Sequence, residues 1–342
     1  MLFIKDEVIK EISELKNAKE IINIIRKYTT DRKKMAEDIF AYSFSDCDEY
    51  YTNGDELIRT EDVLELLNLS YNDCDEEYYE ESPYEEEKRL RSYKAVDFYI
   101  RISGEYATEI KECQKRTTEY NDESPTIAEK RYENTNISVI AKDSVSAVFE
   151  NNIGKTCLLN FASFTSPGGG FLRGSIAQEE AICHESILYP VLSNMLDVYE
   201  RNKYDTNHGL YYNRGLYSPD IIFIKNQDTI QADVITCAAP NKNAMQATNQ
   251  ENLDALSSRI EFVLKMAADN QVETLILGAF GCGAFGQDAG MVSVFFMKLL
   301  EKYNGVFQNV IFAIPEGKNL EAGKKSYAVS FLLQDETQTL ND

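Results

Sequence analysis

Two adjacent carboxylates, Glu179 and Glu180, follow Gln178 and precede the apolar Ala181-Ile182-Cys183. Upstream stands Pro167-Gly168-Gly169-Gly170, and seven residues, Phe171–Ala177, separate Gly170 from Gln178. A carboxyl in a partly desolvated pocket can hold its proton to higher pH, give it to a glycosidic oxygen and then activate water. A neighbouring carboxylate helps by raising that pKa. Two acids opening a helix also simply complement its dipole, which accounts for one of them. Consecutive helical residues point about 100° apart, so at most one of the pair is expected to face a ligand squarely.

A second glycine-rich loop runs from Gly278 through Gly281-Cys282-Gly283-Ala284-Phe285 to Gly286. Glycine lets main-chain amides approach a ligand closely, and a following helix N-terminus adds partial positive charge, so both loops suit phosphate. The second is not a P-loop, since no Lys followed by Ser or Thr closes it, and no G-x-G-x-x-G dinucleotide fingerprint follows the first strand. Either loop alone is also a tight strand-to-helix turn. Two on one sheet favour a phosphate or diphosphate ligand held by neutral amides, which an acidic protein can still do.

The elements that must position these loops alternate. Lys155–Phe161 is a short apolar run bounded by glycines, as in a buried parallel strand. Ile221–Lys225, Asp233–Ala238, Thr274–Gly278 and Val310–Ile314 repeat the type, and Ile137–Ile140 is a short β-branched strand. Helical patterns over Ser144–Glu150, Asn252–Asn270 and Ala289–Tyr303 lie among them. Strands alternating with helices imply a three-layer α/β/α domain with a mixed, mainly parallel sheet, from about 131 to 336. In such sheets ligands bind beyond the carboxyl ends of the strands, where both loops fall. Upstream, helical spacing is expected over 6–28, 30–40 and 60–69, a solvated loop over 70–87, and further helix from 87 to 117 broken near Gly104. The expected organisation is therefore 1–87 as a helical and acidic extension, 88–130 as a helical segment packing on the catalytic domain, 131–336 as that domain, and 337–342 as a tail.

Composition narrows the function. The 342 residues are 43% hydrophobic, enough for a sizeable core, and carry a formal charge of −22. Residues 46–87 hold 17 Asp and Glu against the single base Arg59, a net of −16, which leaves −6 for the rest. Nucleic acid and anionic membrane are disfavoured as partners. The seven cysteines are scattered, without a C-x-x-C pair, which argues against a disulfide framework and for a reducing compartment. His184 and His208 are the only histidines, so no metal ion and no cofactor is expected. No apolar run approaches a membrane span, and the N-terminal residues do not read as a secretory signal, so a cytoplasmic location is expected. Cys282 reads as a small packing residue, and one of Tyr211, Tyr212 or Tyr217 could stack on a base.

The stretch Lys155–Pro190, with its triple glycine, spacer and Gln-Glu-Glu, resembles the microbial-type poly(ADP-ribose) glycohydrolases, which are built on a macrodomain. Leu216–Asp220 (LYSPD), Asp233–Asn241 (DVITCAAPN) and Leu277–Phe285 (LGAFGCGAF) match in order, and Arg91–Tyr106 looks like the helix preceding the macrodomain. The resemblance covers about 88–335; residues 1–87 match no named segment. It implies that Glu180 is the acid/base and that Glu179 assists and orients the ribose. It further implies that Gly168, Gly169 and Gly170 cradle the distal ribose and diphosphate from one side, with Gln178 in the same signature. Gly281, Cys282, Gly283 and Ala284 then hold the diphosphate from the other side, and Phe285 packs against the distal ribose. Asn160 or Ser163 fixes that ribose. The implied activity is metal-free hydrolysis of ribose–ribose bonds from the polymer end, acting on ADP-ribose chains carried by modified proteins. The alternatives are an ADP-ribose reader without turnover, or a hydrolase releasing single ADP-ribose from a protein or nucleobase.

Overall fold

The computed structural model describes residues 51–53, 56–58, 83–124 and 128–315. The helices expected at 6–28, 30–40 and 60–69, and the tail, lie outside the described residues. Two short strands, β1 (Tyr51–Asn53) and β2 (Glu56–Ile58), pair antiparallel. The rest falls into two compact units: one built on the helix α1 (Pro83–Glu105) with residues 170–175, the other on residues from 105 to 169 and from 176 onward.

In the first unit α1 begins at Pro83, inside the stretch expected to be loop through Glu87. Proline lacks an N–H that the first helical turn would leave unpaired, and its fixed φ suits that position. The 3₁₀ turn Phe171–Arg173 is fastened to this helix. Ser92 Oγ donates to the Leu172 carbonyl at 2.6 Å and Arg91 Nε to the Gly174 carbonyl at 2.8 Å. Gly174 has φ +74°, and a Cβ there would sit 2.1 Å from the Lys88 carbonyl oxygen, so only glycine fits. Arg173, on the same turn, is exposed.

The second unit contains a seven-stranded sheet. Its elements in chain order are α2 (Ala107–Arg116), β3 (Thr118–Asn121), β4 (Asn136–Ile140), α3 (Ser144–Glu150), β5 (Thr156–Phe161), α4 (Gln178–His184), α5 (Leu188–Leu192) and α6 (Leu196–Tyr204). They continue with β6 (Arg214–Lys225), β7 (Asp228–Cys237), α7 (Asn249–Asp269), β8 (Thr274–Leu277), α8 (Ala289–Lys302) and β9 (Asn309–Ala313). The strand order is β3-β6-β7-β5-β8-β9-β4. From β7 to β4 neighbours are parallel; β6 pairs antiparallel with both β3 and β7.

The sheet is thus mixed and mainly parallel, with two departures from the sequence reading. Ile221–Lys225 is not a parallel strand but the second half of β6, folded back on β7 through a two-residue turn. That turn is Asn226-Gln227, with φ of +50° and +74°, the left-handed geometry of a tight hairpin. The sheet also takes its first strand at Thr118, upstream of the start expected at 131. Four residues with one buried side chain give β3 too little pattern to be read as a strand.

Alternation along the strands divides the core. Cys157 and Leu159 of β5, and Ile235 and Cys237 of β7, point into the main apolar cluster with Leu256, Ile260 and Val263 of α7 and Phe296 of α8. The intervening residues, including Asn160 and Thr236, face the other side, where α3 and α4 pack on β5. Strand β6 bends at a bulge between Ser218 and Ile221, where Pro219 cannot donate to the ladder. Asp220, at φ +55°, donates its N–H to Asp233 Oδ1 at 2.9 Å, so the LYSPD segment is locked to β7.

Candidate active site

Because β7, β5 and β8 are parallel neighbours, their carboxyl ends share one edge of the sheet. The chains leaving them converge there. A Cβ on Gly278 would lie 2.9 Å from the Phe161 ring, and one on Gly281 would lie 2.7 Å from Ala239 Cβ. Gln287 Nε2 donates to the Pro240 carbonyl at 2.7 Å and to Asn252 Oδ1 at 2.8 Å, pinning the end of the second glycine loop to the chain leaving β7 and to α7. Asp288 then caps α8, accepting from the Met291 N–H at 2.9 Å.

Helix α4 starts beside the end of β5 because Gln178 bridges them. Its Oε1 accepts from the Phe161 N–H at 2.8 Å, while Nε2 donates to the Leu159 carbonyl at 2.9 Å and Ser144 Oγ at 3.1 Å. The carboxamide is therefore engaged on both ends by the protein. That makes Gln178 a positioning residue rather than the ligand contact expected of it.

Both carboxyls are buried, Glu179 at 2% and Glu180 at 6% exposure. Glu179 Oε2 accepts from the Ser163 N–H at 2.7 Å and Oε1 from Asn160 Nδ2 at 3.2 Å. Glu180 Oε2 accepts from the Ala177 N–H at 3.0 Å, closing the first turn of the helix. Gly169, at φ +60°, brings the two together: a Cβ there would meet Glu180 Oε1 at 2.6 Å and Glu179 Oε2 at 2.9 Å. The helix separates their α-carbons in angle, but both side chains reach the same missing side chain.

Burial pushes the Glu179 carboxyl up to about 8, against the lowering effect of the Ser163 amide and Asn160, and the charge of Glu180 pushes the same way. At neutral pH the pair therefore retains a proton. Asn160, fully buried, also donates to Thr236 Oγ1 at 3.3 Å, its partner in register across β5 and β7. Its Oδ1 is buried without a hydrogen-bond partner, an acceptor that a ligand hydroxyl would satisfy. Ser163 reaches Glu179 through its main chain, while its Oγ accepts from the Ser166 N–H at 3.2 Å and shapes the loop. The two candidates left open by the sequence thus hold opposite oxygens of one carboxyl.

The glycines divide by task. Gly168 has φ +66°, and a Cβ would lie 2.5 Å from the Tyr189 ring; Gly170, in the other unit, opens the 3₁₀ turn. A Cβ on Gly283 would meet nothing within 4 Å, so there glycine leaves open space beside the loop. Ala284 is exposed, and its carbonyl accepts from Asn243 Nδ2 at 2.9 Å. Cys282 is buried, its thiol pushed up to about 12 by burial, so it is no nucleophile at neutral pH. Phe285 meets Tyr211 edge-on at 5.9 Å, and Tyr211 stacks on Phe164 at 4.3 Å. Tyr217 is buried with its hydroxyl on Asp233, and Tyr212 donates to Asp205 at 2.7 Å. Of the three tyrosines, only Tyr211 thus stands between the two loops.

Sequence reasoning missed Thr236, Gln287, Asn252 and Arg259. Arg259 is fully buried in α7, donating to the Ala238 carbonyl and, at 2.7 Å, to Asn213 Oδ1. It braces the chain leaving β7. Among the described residues no group of three or more His, Cys, Asp or Glu is placed to hold a metal ion, and no helix is long and apolar enough to cross a membrane.

This fold and site define a macrodomain-like α/β class. Residues 91–226 match the family model described as microbial-type PARG, catalytic domain. The structure is similar to poly(ADP-ribose) glycohydrolase from Thermomonospora curvata, with a TM-score of 0.64 and 25% identity over 72% of this chain and 99% of that one. The T. curvata enzyme bound to the inhibitor ADP-HPD gives 0.62 at the same identity and coverage. The Deinococcus radiodurans enzyme in complex with ADP-ribose gives 0.60 with 28% identity over 67% and 98%. A 32-residue stretch of the chain is 84% identical to the phenylalanine–tRNA ligase beta subunit of Bacteroides thetaiotaomicron. It spans 9% of this chain and only 4% of that curated relative.

Two predictions follow from the geometry. Gly169→Ala should lower the unfolding free energy by at least about 1 kcal/mol, from a positive φ and displaced carboxylates. Gly283→Ala should leave stability unchanged; urea denaturation measures both. Glu179 binds its proton more tightly folded than unfolded, so stability should fall as pH rises from about 4.5 to about 8 and level off above. Glu179→Gln should flatten that slope in thermal melts across the same range, and an unchanged slope would count against a raised Glu179.

Proposed function

We propose that this protein is a poly(ADP-ribose) glycohydrolase, with Glu180 delivering the proton and Glu179 orienting the sugar. The observation that carries the reading is the convergence of two buried carboxyls on Gly169, at a strand edge shared with a second glycine-rich loop. The family match and the glycohydrolase structures, one with ADP-ribose and one with an inhibitor, support it. A reader has no need of a paired, proton-retaining site, which favours turnover.

The main-chain amides of the two loops hold the diphosphate. Asn160 offers its unpartnered Oδ1 to a ribose hydroxyl, and Glu179, fixed by Asn160 and Ser163, sets that ribose in place. Glu180, sharing the one proton that the pair retains, delivers it to the ribose–ribose oxygen. The bond to the anomeric carbon breaks, and the oxocarbenium ion that forms is stabilised by the nearby diphosphate. Deprotonated Glu180 then takes a proton from water as the water adds to that carbon, which restores the acid. Acid–base help of this kind contributes on the order of 10²–10⁴-fold, so positioning and electrostatics supply the rest. The chain is proposed to work on ADP-ribose polymers carried by modified proteins, from the polymer end, in the cytoplasm.

Glu180→Gln should bind ADP-ribose as tightly as wild type in calorimetry while polymer hydrolysis drops at least about 100-fold. Hydrolysis near the wild-type rate would remove Glu180 from its role.

A further inference from the structure

Tyr211 faces two ways. One side is bracketed by Phe164, next to the residue whose amide holds Glu179, and by Phe285, which ends the second glycine loop. The other lines an open cavity of about 380 Å³, together with the turn 204–209, Ala244 and Gln246. That volume lies within the range of small-molecule sites.

The cavity wall is held in a costly conformation. Asn207, His208 and Tyr211 all have positive φ, at 48°, 55° and 60°, and non-glycine residues in that region cluster at functional sites. The strain is fixed by main-chain bonds to the chain leaving β7: the Asn241 N–H donates to the Gly209 carbonyl and the Gln246 N–H to the His208 carbonyl, both at 2.8 Å. Asn241 Oδ1, whose amide nitrogen lies 3.5 Å from the Tyr211 hydroxyl, is buried without a partner. Tyr204 lines the same cavity with 92% of its surface exposed, an aromatic face with nothing on it.

We propose that this cavity is the subsite for the group on the far side of the scissile bond, and that its occupant is the adenosine of the adjoining ADP-ribose unit. The proposal rests on the glycohydrolase reading above. The cavity adjoins, through Tyr211, both loops that carry the reacting sugar. A purine needs an aromatic face and flanking polar groups, which Tyr204, His208 and Gln246 present; an acidic side chain linked to a single ADP-ribose needs neither. Base–aromatic stacking tolerates many geometries and adds to binding without touching the chemistry. The subsite would thus select polymer over single modifications through KM rather than kcat.

The test compares wild type with Tyr204→Ala and with Gln246→Trp, which fills the cavity from an exposed position. Polymer hydrolysis, release from singly modified protein, and calorimetric binding of free ADP-ribose are measured for each. The subsite predicts that both variants raise KM for polymer about 5-fold or more, with kcat, ADP-ribose affinity and release from singly modified protein unchanged. Unchanged polymer kinetics in both variants, an equal loss of free ADP-ribose affinity, or impairment only on singly modified protein would overturn it. A wild type that binds ADP-ribose yet leaves polymer intact overturns the glycohydrolase reading itself, and the subsite with it.

Discussion

Burying two carboxyls within reach of one α-carbon is the constraint on which the site depends. Taking a carboxylate out of water is expensive, and placing a second beside it more so. The protein meets the cost in two ways: it supplies directed donors, the Ser163 and Ala177 amides and Asn160, and it keeps a proton on the pair. Neither works unless residue 169 lacks a side chain. Gly169 is thus as much a condition of the acid pair as of the proposed phosphate cradle.

The sheet exists, for this purpose, to bring three chain exits together. Parallel pairing of β7, β5 and β8 places the exits on one edge, and the register that sets Asn160 opposite Thr236 turns Asn160 toward α4 rather than into the apolar cluster. Side chains far from the carboxyls then hold the exits in place. Gln178 ties α4 to β5, Gln287 ties the second glycine loop to the chain after β7, and Arg259 braces that chain from behind. These are amide and guanidinium contacts to main-chain carbonyls or amides, which fix backbone position without adding net charge to this edge, apart from the buried Arg259.

How much of this was legible in the sequence depended on the length of the physical signal. The buried strands and the two long helices α7 and α8 were readable within a few residues, because apolar periodicity is local. The glycine loops and the acid pair were readable because their chemistry is rare. The hairpin of β6 on β7 was not, since a buried antiparallel strand and a buried parallel one share the same apolar run, and only the Asn226-Gln227 turn distinguishes them. Arg259 and Thr236 were invisible for a different reason: a charge on a helix and a threonine in a strand become site residues only through partners brought by the fold. The carboxamide of Gln178 was grouped with the ligand-binding residues by its place in the motif, whereas the structure turns it to the backbone and to Ser144.

The central claim is that one carboxyl of this pair stays protonated at neutral pH. Carboxyl-carbon NMR of protein labelled at glutamate, followed from pH 3 to 10 and assigned with the Glu179→Gln variant, tests it without reference to substrate. The account predicts one glutamate resonance that remains in the protonated range through pH 7 and titrates near about 8. A spectrum in which every glutamate has ionised by pH 6 would contradict it.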